Sequence, residues 1–275
     1  METYEVPEQM DPGHFVVAPD YSPAEFGPAS KNAVQDRNGR VPASATLDTE
    51  FTLRAFHTEE DIRFQLKKTV SPAADPLKDI PESETPRVSY TGYALQSEFS
   101  FHAASSDRAA NIQAQAGLWN LVQLPHGGTL TVPVFRRADI KKYFGDFSGE
   151  ELSVGERLIS YTMNSAASQK IGVSADVVTG RAGYIVEQNG GWSLVIRNFF
   201  SNPSGQYIDV AWNTPEDLKD FGYVFQACNF NAEGVVFFGM EYHLPAGTCV
   251  DSSQLWAFCG PYEEIRKTAE LLLGM

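Results

Sequence analysis

The chain reads as an all-β protein, a sandwich or barrel closed by one short C-terminal helix. Three observations predict this. Short apolar and alternating segments recur along the chain, separated by Gly, Pro, Asn and Ser turn signals. The stretch Leu118 to Val134 holds two extended segments joined at Pro125-His126-Gly127-Gly128. Helical spacing occurs only at the end, after Pro261, where Ile265, Ala269, Leu272 and Leu273 line one face.

Composition permits such a fold and excludes several functions. Of 275 residues, 43% are hydrophobic and 12% aromatic, enough for a large core. The formal charge is −14, from 35 acidic and 21 basic residues, which should repel nucleic acid and anionic membrane surfaces. Cys228, Cys249 and Cys259 are too few and too oddly spaced for a disulfide framework or a zinc ribbon. No apolar run approaches the roughly 20 residues of a membrane helix. Met1 to Asp20 carries neither a basic nor an apolar leader region, so no signal peptide is expected. The setting is then cytoplasmic, or periplasmic after processing.

The elements follow in order. Residues 1–44 are Pro-rich and polar, an irregular lead-in packed on the domain with a short strand at His14–Val17. A single β-sandwich domain then spans 45–275. Phe51–Phe56 and Ile62–Lys67 alternate apolar and polar around Thr58–Asp61, an antiparallel hairpin with one solvated face. Pro72, Pro76, Pro81 and Pro86 mark a loop over 71–88. Strands resume over Ser89–His102. Both faces of Leu118–Pro125 carry large apolar groups, which predicts a strand buried on both sides. A polar excursion covers 136–156. Strands follow at Leu158–Met163, Lys170–Val178, Arg181–Glu187, Trp192–Phe200, Tyr207–Val210, Tyr223–Asn229 and Val235–His243, and there the series ends. The final helix, of roughly 12 residues, begins with Pro261 and has Glu263 and Glu264 in its first turn.

Several residues could carry chemistry. Asn120, Gln123 and His126 are polar groups in or beside an apolar sheet, and such groups need partners from the protein or from a ligand. Glu241 and His243 end a strongly apolar strand, two residues apart on one face. Together they could act as base and acid, hold a divalent metal, or form an ordinary surface pair. Partial desolvation would raise the Glu241 pKa toward a useful range. No cofactor is otherwise indicated. Arg136, Arg137, Arg181 and Arg197 could fork a substrate carboxylate, or pair with local acids. Trp119, Trp192, Trp212, Trp256 and Tyr143 could stack on sugar rings or fill the core. The chain has no GxSxG elbow, P-loop, strand-linked GxGxxG or HExxH, so serine hydrolysis and nucleotide chemistry are poor fits.

Several blocks taken together resemble a family. They are Leu118-Trp119-Asn120-Leu121-Val122-Gln123-Leu124-Pro125-His126-Gly127-Gly128, Ile159–Met163, Lys170-Ile171-Gly172, Thr179-Gly180-Arg181, Arg197–Phe200, Gln226–Asn229, Met240–Ala246 and Gln254–Phe258. They look like an uncharacterised bacterial family similar to the galactose mutarotase-like (aldose 1-epimerase-like) group, over roughly residues 45–275. The resemblance implies a large antiparallel β-supersandwich handling carbohydrate in a concave face. Galactose mutarotases use a histidine acid in mid-chain and a glutamate base late in the chain, and His126 and Glu241 occur in that order. With the residue readings above, Trp119, Asn120, Gln123, Arg137, Arg181, Arg197 and His243 are the candidate sugar contacts. The wider group includes epimerases, domains of lyases and hydrolases, and domains without a catalytic role. A carbohydrate-active enzyme, a carbohydrate-binding module and a structural domain are therefore all expected possibilities.

Overall fold

A computed structural model describes residues 27–28, 44–54, 61–103, 116–205, 207, 223–230, 235–244 and 247–275. Within these, 27–28, 53–54, 61–62, 101–103, 116–117, 119, 230, 235–244 and 247–249 are described by backbone and register. The expected strands at His14–Val17 and Tyr207–Val210 lie outside the described residues, apart from Tyr207. So does nearly all of the lead-in.

The described residues form two antiparallel sheets and one helix, the all-β sandwich expected. Its strands are β1 (Gly27–Pro28), β2 (Ala45–Arg54), β3 (Asp61–Pro72), β4 (Ser89–Ala103), β5 (Ala116–Pro125), β6 (Thr129–Pro133), β7 (Lys141–Phe144) and β8 (Leu152–Val154). There follow β9 (Leu158–Thr162), β10 (Gln169–Val173), β11 (Arg181–Gln188), β12 (Gly191–Phe199), β13 (Phe225–Phe230), β14 (Val235–Leu244), β15 (Gly247–Gly260) and α1 (Tyr262–Leu273). The large sheet runs β1-β2-β3-β4-β15-β12-β11-β6-β9-β8, and the small sheet runs β5-β14-β13-β10-β7.

The expected hairpin forms between β2 and β3, with Arg54 opposite Asp61. The expected 71–88 loop begins after Pro72, because β3 runs on to that residue. The polar excursion at 136–156 is not all loop: Lys141–Phe144 and Leu152–Val154 are short edge strands. Edge strands need only one apolar side, so few apolar residues mark them.

The largest correction concerns β15. The strand series does not end at His243. Gly247–Gly260 is a 14-residue strand inside the large sheet, between β4 and β12. Its sequence conceals it because the buried side changes along its length. Asp251 and Ser253 are buried on one face, whereas Trp256 and Phe258 are buried on the other. No single alternation spans such a strand.

Two cores explain the change. Leu130, Ile159, Tyr161, Ile171, Tyr184 and Phe225 fill the space between the sheets. Phe199 stacks on Phe225 there, with ring centroids 5.7 Å apart. On the opposite face of the large sheet, Leu194, Ile196, Trp256 and Phe258 pack against Ile265, Ala269, Leu272 and Leu273 of α1. Each large side chain so buried contributes about 1.5–3 kcal/mol. The helix comes close enough that a Cβ on Gly183 would meet Leu273 Cδ1 at 2.4 Å. Pro261 is the N-cap of α1, one position earlier than a first-turn proline.

The Leu118–Val134 stretch is likewise corrected. Its two arms do not pair with each other: β5 is an edge of the small sheet, and β6 lies within the large one. The turn therefore carries the chain from one sheet to the other. Gly127 has φ 101°, and a Cβ on Gly128 would meet Ile185 O at 2.3 Å and Tyr184 Cζ at 2.5 Å. Only glycine accommodates both demands. Tyr184 secures the crossing: its hydroxyl donates to Pro125 O and accepts from Gly128 N, both at 2.7 Å. Nor is β5 buried on both sides. Leu118 and Asn120 are buried, while Leu121 and Gln123 are exposed.

Candidate functional site

The register identifies the side of the large sheet that faces the small one. Lys68, Ser97 and Asp251 form a cross-strand row over β3, β4 and β15. Leu95 and Ser253 pair in the next row of the same side, and Tyr93, Leu255 and Arg197 in the row after that. Cross-strand partners share a face, so these residues all lie on one surface.

Across from this surface, Asn120 of β5 donates from Nδ2 to Asp251 Oδ2 at 2.7 Å. This hydrogen bond joins the two sheets. Arg197 Nη2 donates to Ser253 Oγ at 3.1 Å. Asn120, Asp251 and Arg197 are each only 3% exposed. Among the described residues, Asp251 Oδ1 and Ser97 Oγ are buried with no hydrogen-bond partner. Buried polar atoms of that kind are rare and call for a ligand, a water or a strain account. Burial pulls the Lys68 ammonium below the usual lysine range. The Arg197 guanidinium adds to that shift, and the Asp251 carboxylate opposes it. The three charges therefore feel one another.

Burial falls off along this surface in one direction. Phe64, Leu66 and Phe99 are buried, Lys68, Val70, Leu95 and Leu255 are half-buried, and Tyr93 is 36% exposed. The polar row stands where the dry interior gives way to an open floor of Val70, Leu95, Leu255 and Tyr93. Apolar floors beside a few convergent polar groups are the ordinary composition of small-molecule sites.

Of the residues expected to bind, Asn120 and Arg197 are brought together here, through Asp251 and Ser253. The others are placed elsewhere. Gln123 is exposed on the outward side of β5. Arg137 lies at the surface, 4.0 Å from Glu156. Arg181 is structural: Nε donates to Asn198 Oδ1 at 2.9 Å and Nη1 to Leu272 O at 2.7 Å, with the guanidinium 5.5 Å over Trp256. It supplies the cation at the C-terminus of α1, whose own last turn has none. Trp256 is buried beneath the helix, and Trp192 packs on Tyr262 at 4.6 Å between centroids. Tyr143 lies 4.6 Å beneath Lys170 Nζ, on β7. The side chains of Trp119, Trp212, Glu241 and His243 lie outside the described ones. By register, Glu241 is opposite Trp119 and His243 opposite Gly117.

His126 and Glu241, the acid and base that the resemblance implies, are not brought together. Glu241 follows Met240, the register partner of Asn120, whereas His126 follows Pro125, the partner of Val235. At roughly 3.3 Å per residue the two positions are about 20 Å apart along the strands. His126 instead lies at the sheet crossing, with Nε2 3.3 Å from Ser165 O. Asn229 Nδ2 donates to the same carbonyl at 3.1 Å.

Sequence reasoning missed Lys68, Ser97, Asp251 and Ser253. A signal existed in Cys249-Val250-Asp251-Ser252-Ser253, where Asp251 and Ser253 stand two apart, on one side of any strand through them. It reads as a turn as long as the strand is unrecognised.

Among the described residues no group of three or more His, Cys, Asp or Glu could hold a metal. No described helix is long and apolar enough to cross a membrane. Comparison with protein-family models, with curated proteins and with solved structures finds no match.

Proposed function

We propose that this protein binds a carbohydrate on the inward surface of its large sheet, at the Lys68–Ser97–Asp251 row and the open floor beside it. One observation carries the reading. A buried carboxylate, an amide and a guanidinium from three strands converge where the sandwich interior opens, and two buried oxygens there lack partners among the described residues. A sugar presents several hydroxyls, each both donor and acceptor, and so meets the needs of Asp251 Oδ1 and Ser97 Oγ. Its apolar ring face suits a floor of Leu255 and Tyr93.

Mutarotase-like turnover is the narrower form of this proposal. It calls for an acid and a base on one sugar ring. The His126–Glu241 separation removes His126 from that pair, and by register Glu241 shares the strand side of Trp119, alternate to that of Asn120. Polarimetry with Glu241→Gln tests this narrower form: unchanged mutarotation in the folded variant refutes it.

Calorimetric titration with monosaccharides tests the binding itself. Asp251→Asn and Ser253→Ala should weaken a measured affinity at least tenfold while melting stays cooperative. Binding that survives both substitutions unchanged would move the site elsewhere.

A further inference from the structure

We infer that Lys68 is a carbonyl-capturing amine, which joins the open-chain form of a bound aldose as a Schiff base. The inference rests on the sugar-binding reading and adds a covalent step to it. Half-buried Lys68 stands between two apolar rows of the inward side, with Leu66 and Phe99 paired on its dry flank and Val70 and Leu95 on its open flank. Its own row holds Leu47, Ser97 and Asp251. Its neighbour Lys67 faces the other side of the sheet, in register with Asp48 and Glu98, and its Nζ lies 4.0 Å from Glu98. Those two acids are thereby kept off the inward side. Lys68 has no such ion-pair partner among the described residues. The charged groups that share its side are Asp251 of β15, which attracts the ammonium, and Arg197 of β12, which opposes it.

An amine attacks a carbonyl only as the neutral base. Burial between the apolar flanks is the main cause that holds Lys68 below the usual lysine range, and so enlarges its neutral share. The Nζ lone pair adds to C1 of the aldehyde while one nitrogen hydrogen passes to the C1 oxygen, giving a carbinolamine. A second nitrogen hydrogen leaves with that oxygen as water. Amine and aldehyde thus become imine and water, with no oxidant or reductant. The Asp251 carboxylate, whose Oδ1 has no partner among the described residues, carries these protons from nitrogen to oxygen. Ser97 Oγ, likewise without a partner there, hydrogen-bonds a neighbouring sugar hydroxyl. Water returning to the imine releases the sugar.

The test incubates the full chain with galactose or glucose and sodium cyanoborohydride at neutral pH, and maps the reduced adducts by peptide mass spectrometry. Lys68 should be labelled at least about tenfold faster than Lys67 or the exposed Lys78, because a seated carbonyl is held against one amine and not the others. The methyl glycoside of the same sugar has no free carbonyl. It should slow labelling at Lys68 and leave Lys67 and Lys78 unchanged. Equal labelling of these lysines overturns the Schiff base. If the methyl glycoside then still binds by calorimetry, the sugar reading stands. If neither the sugars nor their methyl glycosides bind, the sugar reading falls as well. Selective labelling of Lys68 that the methyl glycoside does not slow overturns the inference too, since the amine would then react outside a sugar site.

Discussion

Replacing Asn120 with alanine removes the side-chain hydrogen bond on Asp251 Oδ2, while Oδ1 already lacks a partner among the described residues. The carboxylate stays buried with its hydrogen bonding stripped. Orphaning a buried charge altogether costs about 3–5 kcal/mol. Here Lys68 and Arg197 remain as counter-charges, so the loss is closer to that of one hydrogen bond to a charged group, about 1.5–3 kcal/mol. For a chain of this size that corresponds to a fall in Tm of roughly 3–10 °C. The assay is urea unfolding of wild type, Asn120→Ala, Asp251→Ala and the double variant. The quantity sought is the coupling between the two sites. It should be about 1.5–3 kcal/mol, with the midpoint moving and the m-value constant. A coupling below about 0.5 kcal/mol would mean that the bond joining the sheets contributes nothing, and would refute the reasoning.

Tyr184→Phe orphans the buried Gly128 N–H and removes the hydroxyl donor to Pro125 O, and should cost about 1–3 kcal/mol by chemical denaturation. Burial pushes the Tyr184 phenol and the Cys228 thiol up to about 12 each, from ordinary values of 10 and 9. Both folded values are raised, so the stability they confer is complete below pH 9. It declines as pH rises toward 12, by up to about 1.4 kcal/mol per unit per group, and Cys228→Ala should flatten the curve between pH 9 and 10. Arg181→Ala should loosen the end of α1, seen as faster amide exchange near Leu272–Gly274; unchanged protection there would contradict the capping role. His126→Ala should leave sugar affinity within about twofold, because it lies about 20 Å along β5 from Asn120, and a tenfold loss would return His126 to the site.

The sequence by itself determined the class of fold and many of its elements. The β2–β3 hairpin, β4, β9 to β14 and the helix could be read because each has one apolar side or an uninterrupted apolar run, and period and length then suffice. Ile265, Ala269, Leu272 and Leu273 were legible as the buried face of α1 for the same reason. It also pointed to Asn120 as a polar residue in an apolar strand and to Arg197 as a residue able to fork a carboxylate. Only the tertiary structure decided where β15 runs, because that strand changes its buried side between Ser253 and Trp256, and which core it serves depends on the sheet and helix around it. It alone put β5 at an edge, brought Asp251 within 2.7 Å of a residue 131 positions away, and set His126 apart from Glu241. The physical reason is that a side chain's face is a local property of the backbone, whereas what lies opposite that face is set by pairing across the whole chain.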